Sequence, residues 1–218
     1  MNHGPAGDTP QGSVNNRIRG RFNAWLFEAL DDYMHARLGP AKTRLFAGVP
    51  GTVVEIGPGS GANLRYLPRG THVIAIEPNL QMHERLRRRA AHLGLDIELR
   101  STAGESLDID SASVSFVFTS LVLCSVTSPA RVVAEARRVL AHGGRFVCLE
   151  HVRADGVVGA LQHLVRRPWR WVFEGCELLN ETESVLRAAG FADVTIEHLV
   201  IPTAFLPIRH QIAVVCTA

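Results

Sequence analysis

The sequence predicts an α/β protein: one mostly parallel sheet of seven strands, helices on both faces, and an antiparallel last strand. Three observations carry this. From Thr52 onward, short apolar runs alternate with longer amphipathic ones, the pattern of repeated strand–helix units. The first apolar run, V-V-E-I at Val53–Ile56, passes straight into a turn with glycine at 57, 59 and 61. The last two runs, Val194–Leu199 and His210–Cys216, have no helix between them and therefore pair antiparallel.

The elements follow in order. Residues 1–20 are a polar arm rich in Gly, Pro and Asn, without the apolar stretch of a signal peptide. Phe22, Trp25, Leu26, Ala29, Leu30, Tyr33, Met34 and Leu38 recur at helical spacing, and Gly39-Pro40 should end that helix. This segment (residues 21–50) precedes the sheet, so it reads as a helical lid as well as a packing helix. Strand one is Thr52–Ile56. Ala62–Leu67 reads as a helix whose N-terminus faces the glycine turn. Strand two is His72–Ile76, and Asn79 caps a helix over Leu80–His92. Strand three is Asp96–Arg100 and strand four Val114–Thr119. Ser128-Pro129 opens a helix to Leu140, which Gly143-Gly144 should stop before strand five, Arg145–Glu150. Residues 152–180 form an insertion on the substrate side. Asn180 with Glu183 resembles a capping box for a helix ending at Gly190.

In such a sheet, ligands bind beyond the carboxyl ends of the strands. Gly57, Gly59 and Gly61 permit backbone conformations closed to other residues and let a ligand come close. The turn is built to cradle an adenine-containing cofactor. Glu77 ends strand two, about 20 residues further on, where a carboxylate takes both vicinal ribose hydroxyls. Alone, Glu77 would read as a solvated turn residue before Pro78; after the glycine turn it does not. Two cofactors fit these residues. Gly57-x-Gly59-x-x-Ala62 satisfies a relaxed nicotinamide-dinucleotide pattern. Glu55 argues against it, because a buried acid needs a partner, which a positively charged cofactor or the turn's N–H groups supply. A nicotinamide oxidoreductase also needs a Tyr-Lys pair or a second domain, and the chain has Tyr33, Tyr66 and the single lysine Lys42. A module that binds cofactor without catalysis is a third reading.

The composition sets bounds. At 218 residues the chain suffices for one domain with a full core. A net charge of +2 is too balanced to argue for nucleic acid or an anionic membrane. Arg85, Arg87, Arg88 and Arg89 lie on a helix with Leu86 and Leu93, as a solvated face does. The longest apolar-leaning run, Val114–Val126, is too short to span a bilayer. Cys124, Cys148, Cys176 and Cys216 show no C-x-x-C or zinc spacing, so buried free thiols in a cytoplasmic protein are expected and no metal is.

Glu55-x-Gly57-x-Gly59-x-Gly61, Glu77, Ala103-Gly104-Glu105, Ser120 and R-V-L-A-H-G-G-R-F-V (Arg138–Val147) together resemble the Rossmann-like class I S-adenosylmethionine-dependent methyltransferases. T-S-L-V-L-C-S-V (Thr119–Val126), L-E-H-V (Leu149–Val152) and P-W-R-W-V-F-E-G-C-E-L (Pro168–Leu178) are similar to the alkyl thiol methyltransferase group, near the ubiquinone/menaquinone C-methyltransferase branch. The resemblance runs from Thr52 to the C-terminus. It implies that Gly57, Gly59 and Ser60 line the methionine and ribose side, that Glu77 takes the ribose hydroxyls, that Ala103 and Gly104 flank the adenine, and that Ser120 lies near the methionine. Glu55, Pro58, Gly61, Asn63, Pro78, Asn79, Glu105 and Leu121 complete the candidate cofactor site; Asn63 also reads as a cap. The thiol-methylating members carry an N-terminal membrane anchor where this chain has a polar arm. His142 replaces the usual proline before Gly143-Gly144.

The implied reaction is methyl transfer to a small molecule, most readily to sulfur, by a monomer or weak dimer. A sulfonium methyl is already electrophilic, so the protein's task is alignment and exclusion of water. A thiol of ordinary pKa, about 8.5, is partly ionised at neutral pH and needs no strong base. A phenol, phospholipid amine or quinone-like carbon needs more help. His151, after strand five, is equally a base or a loop-orienting histidine. Cys124 and Cys176 read as pocket lining rather than nucleophiles. Trp169 and Phe173, with Phe22, Trp25 and Leu26 from the first helix, would wall an apolar pocket.

Overall fold

The computed structural model describes residues 17–173 and 175–218, with side chains from residue 29 onward. The expected polar arm lies outside the described residues up to residue 16. Helix α1 (Arg17–Leu45) precedes β1 (Thr52–Ile56), β2 (His72–Ile76), α2 (Leu80–Leu93), β3 (Asp96–Arg100) and β4 (Val114–Ser120). Then come α3 (Pro129–Val139), β5 (Leu140–His151), α4 (Gly156–Val172), α5 (Thr182–Ala188), β6 (Asp193–Val200) and β7 (His210–Thr217). The strand order is β3-β2-β1-β4-β5-β7-β6. β7 runs antiparallel to both of its neighbours, and the other pairings are parallel.

Strand side chains alternate between the two faces, and each face has its own core. Val54, Ile56, Val117, Phe146 and Val214 pack with Val132, Val133 and Ala136 of α3 and Leu186 of α5. Val53, Val73, Ala75, Phe116 and Phe118 pack instead with Leu86 and Ala90 of α2 and with Phe46. The two caps read from the sequence are present: Asn79 accepts from Gln81 N, and Ser128 accepts from Arg131 N with Pro129 following it. Both fix α2 and α3 at the carboxyl edge of the sheet, where the site lies.

Four expectations are corrected. Gly39-Pro40 does not end α1, which continues to Leu45. A proline inside a helix costs about 3 kcal/mol, but continuing the helix buries Ala41 and brings Phe46 into the core, a comparable gain. Ala62–Leu67 is not an α-helix. It is a series of i→i+3 turns (Leu64 N to Gly61 O, Tyr66 N to Asn63 O) with 3-10 geometry over Leu64–Tyr66. Pro68 stops it before a stable α-helix can form, so no helix N-terminus faces the glycine turn. Gly143-Gly144 lies within β5 as a bulge: Val114 faces Leu140 and Phe116 faces Arg145, so two steps along β4 match five along β5. Gly143 N and Gly144 O there bond Ala218. Asn180 makes no capping box; it donates to Leu123 O, while Glu183 binds Arg187 and His198. The 152–180 segment, to which sequence reasoning assigns no element, is mostly α4. Val158, Leu161, Gln162, Val165 and Trp169 form its inner face at helical spacing, a signal present in the sequence.

Candidate active site

The loops after β1, β2, β3 and β4 converge, with His151 at the end of β5, on a cavity of about 840 Å³. The glycine turn forms one wall, and its three glycines differ in purpose. Gly57 and Gly61 have φ of 69° and 87°. A Cβ on Gly57 would lie 2.6 Å from Val122, and one on Gly61 would lie 2.9 Å from Leu86. Both positions are therefore closed by packing. Gly59 has φ 57° and nothing within 4 Å of where its Cβ would be; that space is free for a ligand. Similarly, a Cβ on Gly104 would meet Ile56 at 2.7 Å.

Glu77 is held rather than solvated. Its Oε2 accepts from Gly59 N at 2.9 Å and its Oε1 from Asn79 N at 2.8 Å. These bonds tie the second loop to the glycine turn and leave the carboxylate at the cavity wall beside Pro78 and Asn79. Ala103, Gly104 and Glu105 line the same region. Glu105 accepts from Thr127 N and Ser128 N, linking the third and fourth loops. Ser60, Pro58, Asn63, Ser120 and Leu121 also line the cavity. The Ser120 hydroxyl is buried and lacks a partner among the described residues.

Glu55 and Gly61 are not on the cavity surface. Glu55 is fully buried behind Asn63, which donates to Glu55 Oε1 at 2.7 Å and accepts from Lys42 Nζ at 2.7 Å. Asn63 thus makes no side-chain cap, contrary to the reading of it as one. Burial pushes the Glu55 carboxyl up to about 7, against the bond from Asn63 and the charge of Lys42. Burial likewise lowers Lys42 to about 8, opposed by Glu55. Lys42 lies on α1 and lines the cavity with Leu30, Met34 and Leu38. Sequence reasoning gives it no role: the helical pattern there marks only apolar residues, and only the long-range fold brings a lysine to Asn63.

The far end is apolar. Trp169 and Phe173 have ring centroids 4.2 Å apart, and Phe205 stands edge-on to both. Sequence reasoning does not find Phe205, which sits in an irregular loop with no periodic pattern to mark it. The side chains of Phe22, Trp25 and Leu26 lie outside the described residues. Beside the aromatic rings are Cys124, His151 and Cys176, all buried and all lining the cavity. His151 Nε2 is 3.1 Å from Cys176 Sγ, to which Trp169 Nε1 donates at 3.2 Å. The bond with Cys176, and then burial, push the Cys124 thiol well above its usual value.

Leu121 explains the turn that holds Cys124. Its φ is 59°, a strained value for a branched residue. The turn aims the N–H groups of Val122 and Leu123 at Glu150 Oε1, at 3.0 and 3.2 Å. Glu150 is fully buried, and burial raises its pKa against those two bonds.

This sheet order, with a glycine turn and an acid at its carboxyl edge, defines an α/β enzyme for a nucleoside cofactor, of the methyltransferase kind. Comparison with known proteins agrees. A family model described as a methyltransferase domain matches residues 54–148. The Homo sapiens protein named Thiol S-methyltransferase TMT1A is 33% identical over 175 residues, covering 77% of this chain and 71% of the relative. The Rattus norvegicus Thiol S-methyltransferase TMT1B is 32% identical over 166 residues, covering 74% and 68%. Among solved structures, a geranyl diphosphate methyltransferase in complex with its cofactor has a TM-score of 0.61 at 14% identity, covering 97% of this chain and 96% of that one. An Aquifex aeolicus methyltransferase has a TM-score of 0.57 at 19% identity, covering 79% and 85%. The chain belongs to the class I S-adenosylmethionine-dependent methyltransferases. Among the described residues, no helix is long and apolar enough to cross a membrane.

Proposed function

We propose that the protein methylates the sulfur of a small apolar thiol, with S-adenosylmethionine as donor. The observation that carries this is the makeup of the acceptor end. Three aromatic rings and the Cys124–His151–Cys176 group stand there, and the carboxylates lining the cavity are engaged elsewhere: Asp31 with Arg65 and Arg89, Glu77 and Glu105 with backbone N–H groups. A thiol supplies its own nucleophile near neutral pH; an alcohol in this setting does not. The thiol S-methyltransferase names of the relatives support the same acceptor atom.

The residues fit the donor. Its bound form supplies an electrophilic methyl on a positively charged sulfur. Glu77 would hold the ribose hydroxyls, and Ala103, Gly104 and Glu105 would flank the adenine. The open space at Gly59 admits close approach, and the unpartnered Ser120 hydroxyl would serve the methionine end. The buried acid Glu55, with its second oxygen unpartnered, favours positive charge nearby. The ring cluster shields the acceptor from water, and α1, tied to the C-terminal loop through Tyr33 and Thr203, would close over it as a lid. His151 would orient the acceptor or take its proton. The buried free cysteines suit a reducing compartment such as the cytoplasm.

The test is a transfer assay with isotopically labelled methyl donor against an aliphatic thiol and its matched alcohol and amine. The thiol should be methylated fastest. Equal rates for thiol and alcohol would refute the sulfur assignment.

A further inference from the structure

We propose that Cys124, His151 and Cys176 form a binding site for a thiophilic divalent cation, zinc foremost, with its fourth position open to the cavity. Their ligand atoms all lie within 4.8 Å of one another, and all three side chains are buried. A tetrahedral zinc site, with bonds of about 2.3 Å to sulfur and about 2.0 Å to nitrogen, needs ligand atoms about 3.5–3.8 Å apart. His151 Nε2 and Cys176 Sγ are at 3.1 Å, so small side-chain shifts suffice. Two thiolates cancel the double charge of the ion, which lets the site be buried without net charge.

The surroundings hold these ligands as a unit. Glu177 N donates to Cys124 O at 2.7 Å, and Asn180 Nδ2 donates to Leu123 O at 3.3 Å. The two cysteine segments are thus bonded to each other independently of the thiols. Trp169 Nε1 donates to Cys176 Sγ, and Ser125 Oγ stands 3.5 Å from Cys124 Sγ; outer hydrogen bonds of this kind orient metal-bound thiolates. Three protein ligands plus one open position is the arrangement of catalytic rather than structural zinc. All three ligand residues line the cavity, so the open position faces a bound acceptor.

The consequence for catalysis follows from charge. An acceptor thiol takes the fourth position, loses its S–H proton to solvent, and is held there as a thiolate. When that sulfur forms its new bond to the methyl carbon, the carbon–sulfonium bond breaks and its electron pair stays on the donor sulfur. The product is a neutral thioether, a weak ligand that leaves the ion.

The site is tested without acceptor or donor, so it stands apart from the thiol reading. Untagged full-length protein, purified under reducing conditions, is loaded with zinc or cobalt(II), desalted and analysed for metal. About one ion per chain should be retained, and the cobalt form should show tetrahedral bands with thiolate-to-cobalt charge transfer. Cys124→Ser and Cys176→Ser should each weaken binding on the order of 100-fold or more, and His151→Gln by a smaller factor. Cys216→Ala, in the sheet core, should bind as the parent does. Circular dichroism shows which variants are folded, and the cobalt spectrum of the parent decides even if a ligand variant does not fold. Failure to retain metal, a cobalt spectrum without thiolate bands, or undiminished binding in a folded Cys124→Ser/Cys176→Ser variant overturns the proposal. So does a Cys124–Cys176 disulfide that persists under reduction. A protein that binds zinc but methylates alcohols and thiols equally would refute the thiol reading and leave this site intact.

Discussion

Gly57→Ala and Gly59→Ala are chemically the same change two residues apart, yet they should fail differently. Both place an alanine at positive φ (69° and 57°), which costs roughly 1–2 kcal/mol. At Gly57 the new methyl also meets Val122 Cγ2 at 2.6 Å and Cγ1 at 2.8 Å. Approaches that close force the neighbour or the backbone to move, adding about 1–3 kcal/mol. Gly57→Ala should therefore lose about 2–5 kcal/mol in all, and Gly59→Ala only the first part. In a chain of this length each kcal/mol lowers Tm by about 2–4 °C, so the two variants should melt several degrees apart. Donor affinity should reverse the order relative to stability. The Gly59→Ala methyl fills space left open for ligand, so S-adenosylhomocysteine binding should weaken about 10-fold for each 1.4 kcal/mol by which the methyl disfavours the bound state. The assay pairs thermal melts with calorimetric titration of that ligand. Adding Val122→Ala to Gly57→Ala should restore part of the stability, because it removes the clashing atoms. Equal melting temperatures for the two glycine variants, or no recovery with Val122→Ala, would refute the assignment of packing to one glycine and ligand access to the other.

Three further outcomes are expected. Glu77→Gln keeps the size but removes the charge that Gly59 N and Asn79 N now share; S-adenosylhomocysteine affinity should fall about 10- to 100-fold, from charged hydrogen bonds worth about 1.5–3 kcal/mol. Unchanged affinity in calorimetry would place the ribose elsewhere. Glu55 carries a pH signature: its folded pKa, about 7, is above the unfolded value of 4.5. Its contribution is thus fully present below pH 4.5 and is lost as pH rises through 7. Glu55→Gln should accordingly gain stability over the parent across that window, by at most about 3 kcal/mol, in urea unfolding at pH 4.5 and pH 8; a constant difference would refute it. Asn79→Ala should lose about 1 kcal/mol with the α2 cap, whereas Asn79→Asp should keep it; equal melts would show that the cap contributes nothing.

The local chemistry of this chain is legible from its residues. Strands β1 and β2 fall where the apolar runs are, because a strand buried on both faces is written in consecutive apolar side chains, whereas β3, at the sheet edge, shows itself by alternation of Ile97 and Leu99 with charged residues. Asn79 and Ser128 declare their caps because a cap is made with a neighbour two or three residues on. The glycine turn and Glu77 are recognisable because a strand end, a turn and an acid at fixed spacing need nothing from the rest of the fold. Local rules fail where burial offsets them: Gly39-Pro40 looks like a stop signal, but α1 continues past it and the residues beyond are buried against the core. Ala62–Leu67 looks helical, but Pro68 confines it to tight turns.

Only the tertiary structure decided who meets whom. Lys42 reaches Asn63 across 21 residues, and through it Glu55. His151 meets Cys176 across 25 residues, and both stand beside Cys124 although the three have no recognisable metal spacing. Such pairings depend on how α1 and α4 lie against the sheet, which is set by the summed burial of many side chains. Sequence carries the centre of the donor's half because the glycine turn and Glu77 lie on one continuous stretch of strand, turn and strand. The acceptor's half is assembled from α1, the β4 turn, α4 and the loop at Phe205, and no single stretch of chain contains it.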